Sequence, residues 1–176
     1  SGEPLSGVKH DYVDGQLFRV PEEDSTHKRI AANSIGLLDR RLADNGYRCF
    51  DIETRIRILY PLHTRFYHPD VSVVAQDRIE TEAYQDQPVL LLEVLSEATR
   101  RTDHAEKLEA YLMVPSLVAY VLLEPQTPAA VVYRRKADGS GFEREVYVGL
   151  EAGIPLPELG TDLPLSCVYA RDCDRG

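Results

Sequence analysis

Two carboxylates in this chain of 176 residues stand where a carboxylate is expensive. Glu93 lies inside VLLLEVLS, residues 89–96, a run that is apolar on both faces. An unpaired charge there costs several kcal/mol, so Glu93 must be protonated, ion-paired or bound to a metal. In FYHPDVSVV, alternation puts Asp70 on one face with His68 and Ser72, while Val71 and Val73 take the other. Taken singly, Glu93 reads as a structural partner of Arg55 or Arg57, and Asp70 as a solvated position beside Pro69. Taken together they say more, because two strands joined by the polar stretch 77–87 can set Asp70 and Glu93 side by side. Carboxylates about 4 Å apart repel by roughly 4 kcal/mol at an effective dielectric of 20. A hard divalent cation turns that repulsion into binding, and oxygen ligands suit Mg²⁺ or Mn²⁺. Such an ion acidifies a bound water and stabilises charge on a phosphoryl group, which points to phosphodiester hydrolysis.

That chemistry also calls for a cation to orient water and offset charge. Lys107 is the candidate. Asp103, Lys107 and Tyr111 recur every four residues and so share one face of a helix. The plain alternative is a surface Asp-Lys pair worth a few tenths of a kcal/mol. His63 and His104 have no partners at zinc spacing. Cys49, Cys167 and Cys173 are an odd number without CxxC spacing, so neither a zinc site nor a disulfide framework is expected. Reduced thiols in a cytoplasm are the expectation.

Several elements must position these groups. Tyr12 to Val20 reads as a hairpin around Asp14-Gly15. After a polar loop, with Ser25 or Thr26 as cap, Ile30, Leu37, Leu38 and Leu42 form a helical stripe that Asn45-Gly46 stops. Phe50 to Ile58 alternates as one half-buried strand, and Tyr67 to Val74 is a second strand interrupted at Pro69. Val89 to Leu95 is a central strand. Asp103 to Met113 is a helix with Ala105, Leu108 and Leu112 inward. Leu117 to Leu123 is a buried strand, and Val131 to Arg135 with Phe142 to Val148 makes a C-terminal β-hairpin around Asp138-Gly139. The tail, rich in Leu, Pro and Gly, is expected to wrap the surface. The order predicts an α/β fold, a mixed sheet flanked by helices.

The length suits a single domain over residues 1–176, with residues 1–9 expected to be a disordered end. No apolar run approaches the roughly 20 residues that span a bilayer, and no signal-peptide core is present near the start. Twenty basic residues against twenty-nine acidic ones give a net charge of −9. That balance disfavours generic binding to phosphate backbones unless a local basic patch or bound cations override it.

The strings FYHPDVSVV and VLLLEVLSEATRRTDHAEKLEAYLMVPSLVAYVLLEP resemble the Uma-two family of restriction endonucleases, within the PD-(D/E)XK nuclease superfamily. The likeness extends through DYVDGQLFRV, His27, Tyr133 to Arg135, and LGTDLPLSCVY, in the right order over nearly the whole chain. It implies a restriction-endonuclease-like fold in which Pro69-Asp70 is the PD motif and Glu93 the second acidic ligand. The main-chain carbonyl of Val94 would complete a site for Mg²⁺ or Mn²⁺. Three departures stand out. Leu95 occupies the position of the superfamily lysine, which this family moves to the next helix, at Lys107. Gln16 stands where relatives usually carry a glutamate, and an amide would hold a metal more weakly. SEATRRTD replaces a Ser-Pro-Ser turn. His27 matches the family histidine, which could contact a phosphate or hold Asp70; a helix-end histidine satisfied by solvent is the alternative.

The leading expectation is therefore a divalent-metal-dependent endonuclease acting on DNA. Asp70 and Glu93 would hold the ion with Val94, Lys107 would be the catalytic cation, and Gln16, His27 and Asp103 would be accessory residues. A nuclease fold that no longer cuts and serves as a binding scaffold is the competing expectation, favoured by the net charge and by Gln16. A homodimer would suit the cutting of two strands.

Overall fold

The computed structural model describes residues 7–79, 81–96 and 103–171, the side chains of residues 103 and 104 apart. The chain opens with a hairpin, β1 (His10–Val13) and β2 (Gln16–Arg19), closed by Asp14-Gly15 with both residues at positive φ. This is the turn that Asp-Gly favours. Lys9 precedes it and is tied in, its C=O accepting from the Val20 N–H at 2.9 Å and its ammonium 2.7 Å from Glu53.

Helix α1 (Ser25–Leu42) follows. Its cap is Asp24 and not Ser25 or Thr26: the Asp24 carboxylate accepts from the His27 N–H at 2.8 Å. A carboxylate there also complements the positive end of the helix dipole. The stripe Ile30, Leu37, Leu38 and Leu42 is buried as expected, and Gly46, at φ 82°, ends the turn that trails the helix.

The expected strand Phe50 to Ile58 is two strands in different sheets, β3 (Tyr47–Phe50) and β4 (Arg55–Leu59). Asp51 causes the break, its carboxylate accepting from the Glu53 N–H and its C=O from the Thr54 N–H. An aspartate that bonds the backbone two residues on makes a turn, and the alternation merely continues across it. Tyr67 to Val74 likewise divides into β5 (Thr64–Tyr67) and β6 (Val71–Ala75), because Pro69 has no N–H to offer a ladder. Next come the short β7 (Tyr84–Gln85), the central β8 (Pro88–Val94), α2 (Asp103–Leu112) and β9 (Ala119–Leu123). The C-terminal hairpin is β10 (Ala129–Arg135) with β11 (Phe142–Val148).

The tail does not simply wrap the surface. It folds into β12 (Gly153–Leu156), β13 (Thr161–Pro164) and the short α3 (Leu165–Val168). Ile154, Leu156, Leu163, Leu165 and Val168 are fully buried in the main core beside α1. The leucines that read as a coat are spaced to face inward in each of these short elements.

The single mixed sheet expected from the sequence is a six-stranded mixed sheet, β11-β10-β9-β8-β6-β3, joined by a five-stranded sheet, β2-β1-β5-β4-β7, and the pair β12-β13. β8 runs parallel to β9 and antiparallel to β6. One face of the six-stranded sheet packs on α1 and the C-terminal elements. The other packs on α2 and on the inner face of the five-stranded sheet, through Leu91, Tyr111, Tyr120, Ile56 and Ile58. None of the described helices is long and apolar enough to cross a membrane.

Candidate active site

β6 pairs antiparallel with β8 in a register that sets Val71 opposite Leu92. One residue before Val71 comes Asp70, and one after Leu92 comes Glu93, so both carboxylates fall at the same end of adjoining strands. Parity also gives them one face, the one carrying Ser72 and Leu91 and turned toward the five-stranded sheet.

Asp70 is held from two sides. Its Oδ1 lies 2.9 Å from His27 Nε2, and its Oδ2 accepts from the Val94 N–H at 2.8 Å. A strand residue turns its N–H and C=O to the same side, so the Val94 carbonyl also leaves the strand toward Asp70. His27 is buried and not a solvated helix end, with Nδ1 3.2 Å from Glu23. Burial pulls the imidazole pKa down, but the hydrogen bond and charge of Asp70, backed by Glu23 and Asp24, outweigh it and raise it overall.

Glu93, its side chain 13% exposed, does not meet Arg55 or Arg57. Arg57 pairs with Asp86 at 2.6 Å, and Arg55 lies over the Phe66 ring, both on the far face of their sheet. Instead, Tyr111 donates to Glu93 Oε1 at 3.1 Å and Tyr120 donates to Oε2 at 3.0 Å, their rings packed edge to face. Lys107 Nζ is 3.7 Å from Glu93 and 3.6 Å from Asp11 Oδ2. Burial raises the Glu93 pKa; Lys107 and the Tyr120 hydrogen bond oppose the rise, while Asp70 and Asp11 add to it.

The face shared by Lys107 and Tyr111 thus delivers both to Glu93. Of the expected inward stripe of α2, Leu108 and Leu112 pack on the core and Ala105 is exposed, while Ala110 and Tyr111 are the fully buried positions. The Asp103 side chain lies outside the described residues. Gln16 is exposed on the edge strand β2.

Asp11 is the residue that sequence reasoning missed. It is 8% exposed, accepts from the His68 N–H at 2.9 Å and lies 3.2 Å from His68 Nδ1. Its signal was parity, since Asp11 shares a hairpin face with the buried Val13. The tyrosines beneath Glu93 were legible only as core.

Asp11 and Glu93 thus flank Lys107, and Glu23 and Asp70 flank His27, so carboxylates outnumber cations here. Among the described residues no three His, Cys, Asp or Glu side chains converge on one point. A hard cation needs no such cage: Mg²⁺ takes one or two carboxylates and keeps several waters. The all-oxygen donor set of Asp70, Glu93 and the Val94 carbonyl suits an ion of that kind.

The mixed α/β architecture is that of a restriction-endonuclease-like fold, as comparison with known proteins shows. A family model described as "Putative restriction endonuclease", Uma2, matches residues 4–166. The chain belongs to the Uma2 family. A crystal structure from Anabaena variabilis, described as "a putative nuclease belonging to DUF820", superimposes with a TM-score of 0.78 at 19% identity, covering 95% of this chain and 93% of that one. Two uncharacterized proteins of Synechocystis sp. are similar in sequence. One, sll1609, is 27% identical over 69% of this chain and 70% of its own length. The other, slr1290, is 29% identical over 74% and 68%.

Proposed function

We propose that this protein is a divalent-metal-dependent endonuclease that hydrolyses phosphodiester bonds in DNA, in the cytoplasm. The observation that carries the reading is Glu93. It is a nearly buried carboxylate whose nearby cation, Lys107 at 3.7 Å, is shared with Asp11 and leaves its pKa raised. Asp70, Glu93 and the Val94 carbonyl would hold Mg²⁺ or Mn²⁺. The bound ion would supply an acidified water and charge stabilisation at phosphorus.

The chain's own groups divide the remaining work. His27 keeps Asp70 Oδ1 in place, and the Val94 N–H keeps Oδ2. Tyr111 and Tyr120 fix the plane of Glu93, so neither carboxylate swings away when the other is neutralised. Lys107 orients the attacking water and offsets charge in the transition state. Asp11 draws Lys107 toward the pair. Two active sites in a homodimer would serve two strands. A scaffold that no longer cuts has the net charge of −9 in its favour, but it leaves the crowding of Asp11, Asp70 and Glu93 without a purpose.

Single-turnover cutting of DNA with Mg²⁺ or Mn²⁺ tests the reading. Glu93→Ala should fold and lose on the order of a thousandfold in rate, about 4 kcal/mol. Lys107→Ala should lose more than about tenfold, roughly 1.4 kcal/mol, with partial recovery in Lys107→Arg. Cutting retained by Glu93→Ala would overturn the assignment.

A further inference from the structure

In a chain of net charge −9, the five-stranded sheet has the opposite balance. Its strands carry Arg19, Arg55 and Arg57 on the outer face and Arg65 on the inner one, where Asp14 and Glu106 meet it; their one carboxylate, Asp11, is turned inward to Lys107. The register shows which residues make up the outer face. Tyr12 is opposite both Leu17 and Phe66, Phe66 is opposite Arg57, and Arg55 is opposite Tyr84. The inner positions beside them, Val13, Ile56, Tyr67 and Gln85, are buried.

On that outer face aromatic rings and guanidinium groups alternate. The Tyr12 and Phe66 centroids are 6.4 Å apart, and those of Phe66 and Tyr84 6.3 Å. The Arg55 guanidinium lies 4.9 Å over Phe66, and that of Arg57, braced by Asp86, 4.5 Å over Tyr84. Leu17 and Leu59 flank the row at 62% and 63% exposure. Arg19 belongs to this face and also lines a cleft of about 520 Å³ that reaches His27 and Asp70. The surface therefore runs on toward the acidic pair.

Charge decides the occupant. A second copy seated through the same face would set arginines against arginines across a two-fold axis. A polyanion with accessible ring faces meets both features at once, phosphates at the guanidinium groups and bases on the aromatic row. A duplex hides its base faces in the stack, so only a single strand uses the whole surface.

We propose that the outer face of the five-stranded sheet is a docking platform for single-stranded nucleic acid. It extends the reading of the acidic site, but needs neither a metal nor hydrolysis. The test is fluorescence anisotropy of the full chain, in EDTA, with a labelled single-stranded oligothymidylate of about 16 nucleotides. Binding should weaken as salt rises. Phe66→Ala and Tyr84→Ala should each weaken it about tenfold while Tyr84→Phe keeps it. Arg55→Glu, an exchange on the surface, should weaken it at least as much, and Val146→Ala, exposed on β11 in the other sheet, should leave it unchanged. Absence of binding, or equal binding by all these variants, would overturn the proposal. So would a concentration-dependent dimer that Arg55→Glu or Tyr84→Ala disperses in sedimentation, because the face would then belong to a second copy. Since the metal is chelated throughout, these outcomes are independent of whether the protein cuts.

Discussion

Toward α1 the six-stranded sheet presents Val71, Val73, Leu90, Leu92, Val121 and Leu123, each at most 1% exposed. On the reverse, the same strands present Ser72, Leu91, Glu93 and Tyr120, and face Asp11, Lys107 and Tyr111. The first face is close-packed hydrocarbon, whose contribution scales with the area it removes from water. The second holds Glu93 with two buried tyrosine hydroxyls and a lysine shared with Asp11, and Asp70 beside it on the next strand. Folding alone gains little from such a cluster, since desolvating charges offsets most of what their pairing returns. The difference leaves stability with one face of the sheet and gives the other the groups that the proposed chemistry would use.

That division can be broken from the hydrocarbon side first. Leu38→Ala, at a fully buried position of α1, should cost about 2–5 kcal/mol in denaturant unfolding. The folded fraction should keep the metal affinity of the parent. A variant that unfolds less readily than this but loses its metal would show the two faces to be one coupled unit.

The reverse side should respond with the opposite sign. The carboxyl of Glu93 has its pKa raised above the ordinary 4.5 on folding, as does that of Glu23, and burial is the main cause in both. The folded state thus keeps protons that the unfolded state releases. Stability of the metal-free protein should be greatest below about pH 4.5 in this contribution and fall as pH rises through the raised values. Glu93→Gln removes the charge while keeping an oxygen for a tyrosine hydroxyl. It should flatten that decline and stabilise the metal-free protein at neutral pH by about 1 kcal/mol. Thermal melts of both proteins across pH, in EDTA, check this. A destabilised Glu93→Gln would make Glu93 a structural residue.

The same contrast explains what the sequence made legible. Pattern reads faces that are uniform, so the helical stripe of α1, the doubly apolar central strand around Glu93 and the C-terminal hairpin around Asp138-Gly139 all stand where the sequence pattern put them. It misread segments where a local hydrogen bond overrides the pattern, as Asp51 does between β3 and β4. The leucines of the tail looked like a surface coat because each short element there holds too few residues to show a period. In the site, Asp70 and Glu93 were visible because a carboxylate among valines and leucines is anomalous. Helical spacing offered Lys107, and the family resemblance singled it out over a surface Asp-Lys pair. Asp11 was hidden because a four-residue strand gives only two positions per face, and its partners His68 and Lys107 are 57 and 96 residues away in sequence. The tyrosines beneath Glu93 are indistinguishable from core until their hydroxyls are located.

Calorimetry of Mn²⁺ and Mg²⁺ binding asks whether Asp70 and Glu93 form one divalent-cation site. The intact protein should bind, and Asp70→Ala and Glu93→Ala should each abolish binding while remaining folded. Binding that survives in both variants, or no binding by the intact protein at millimolar metal, would contradict the account.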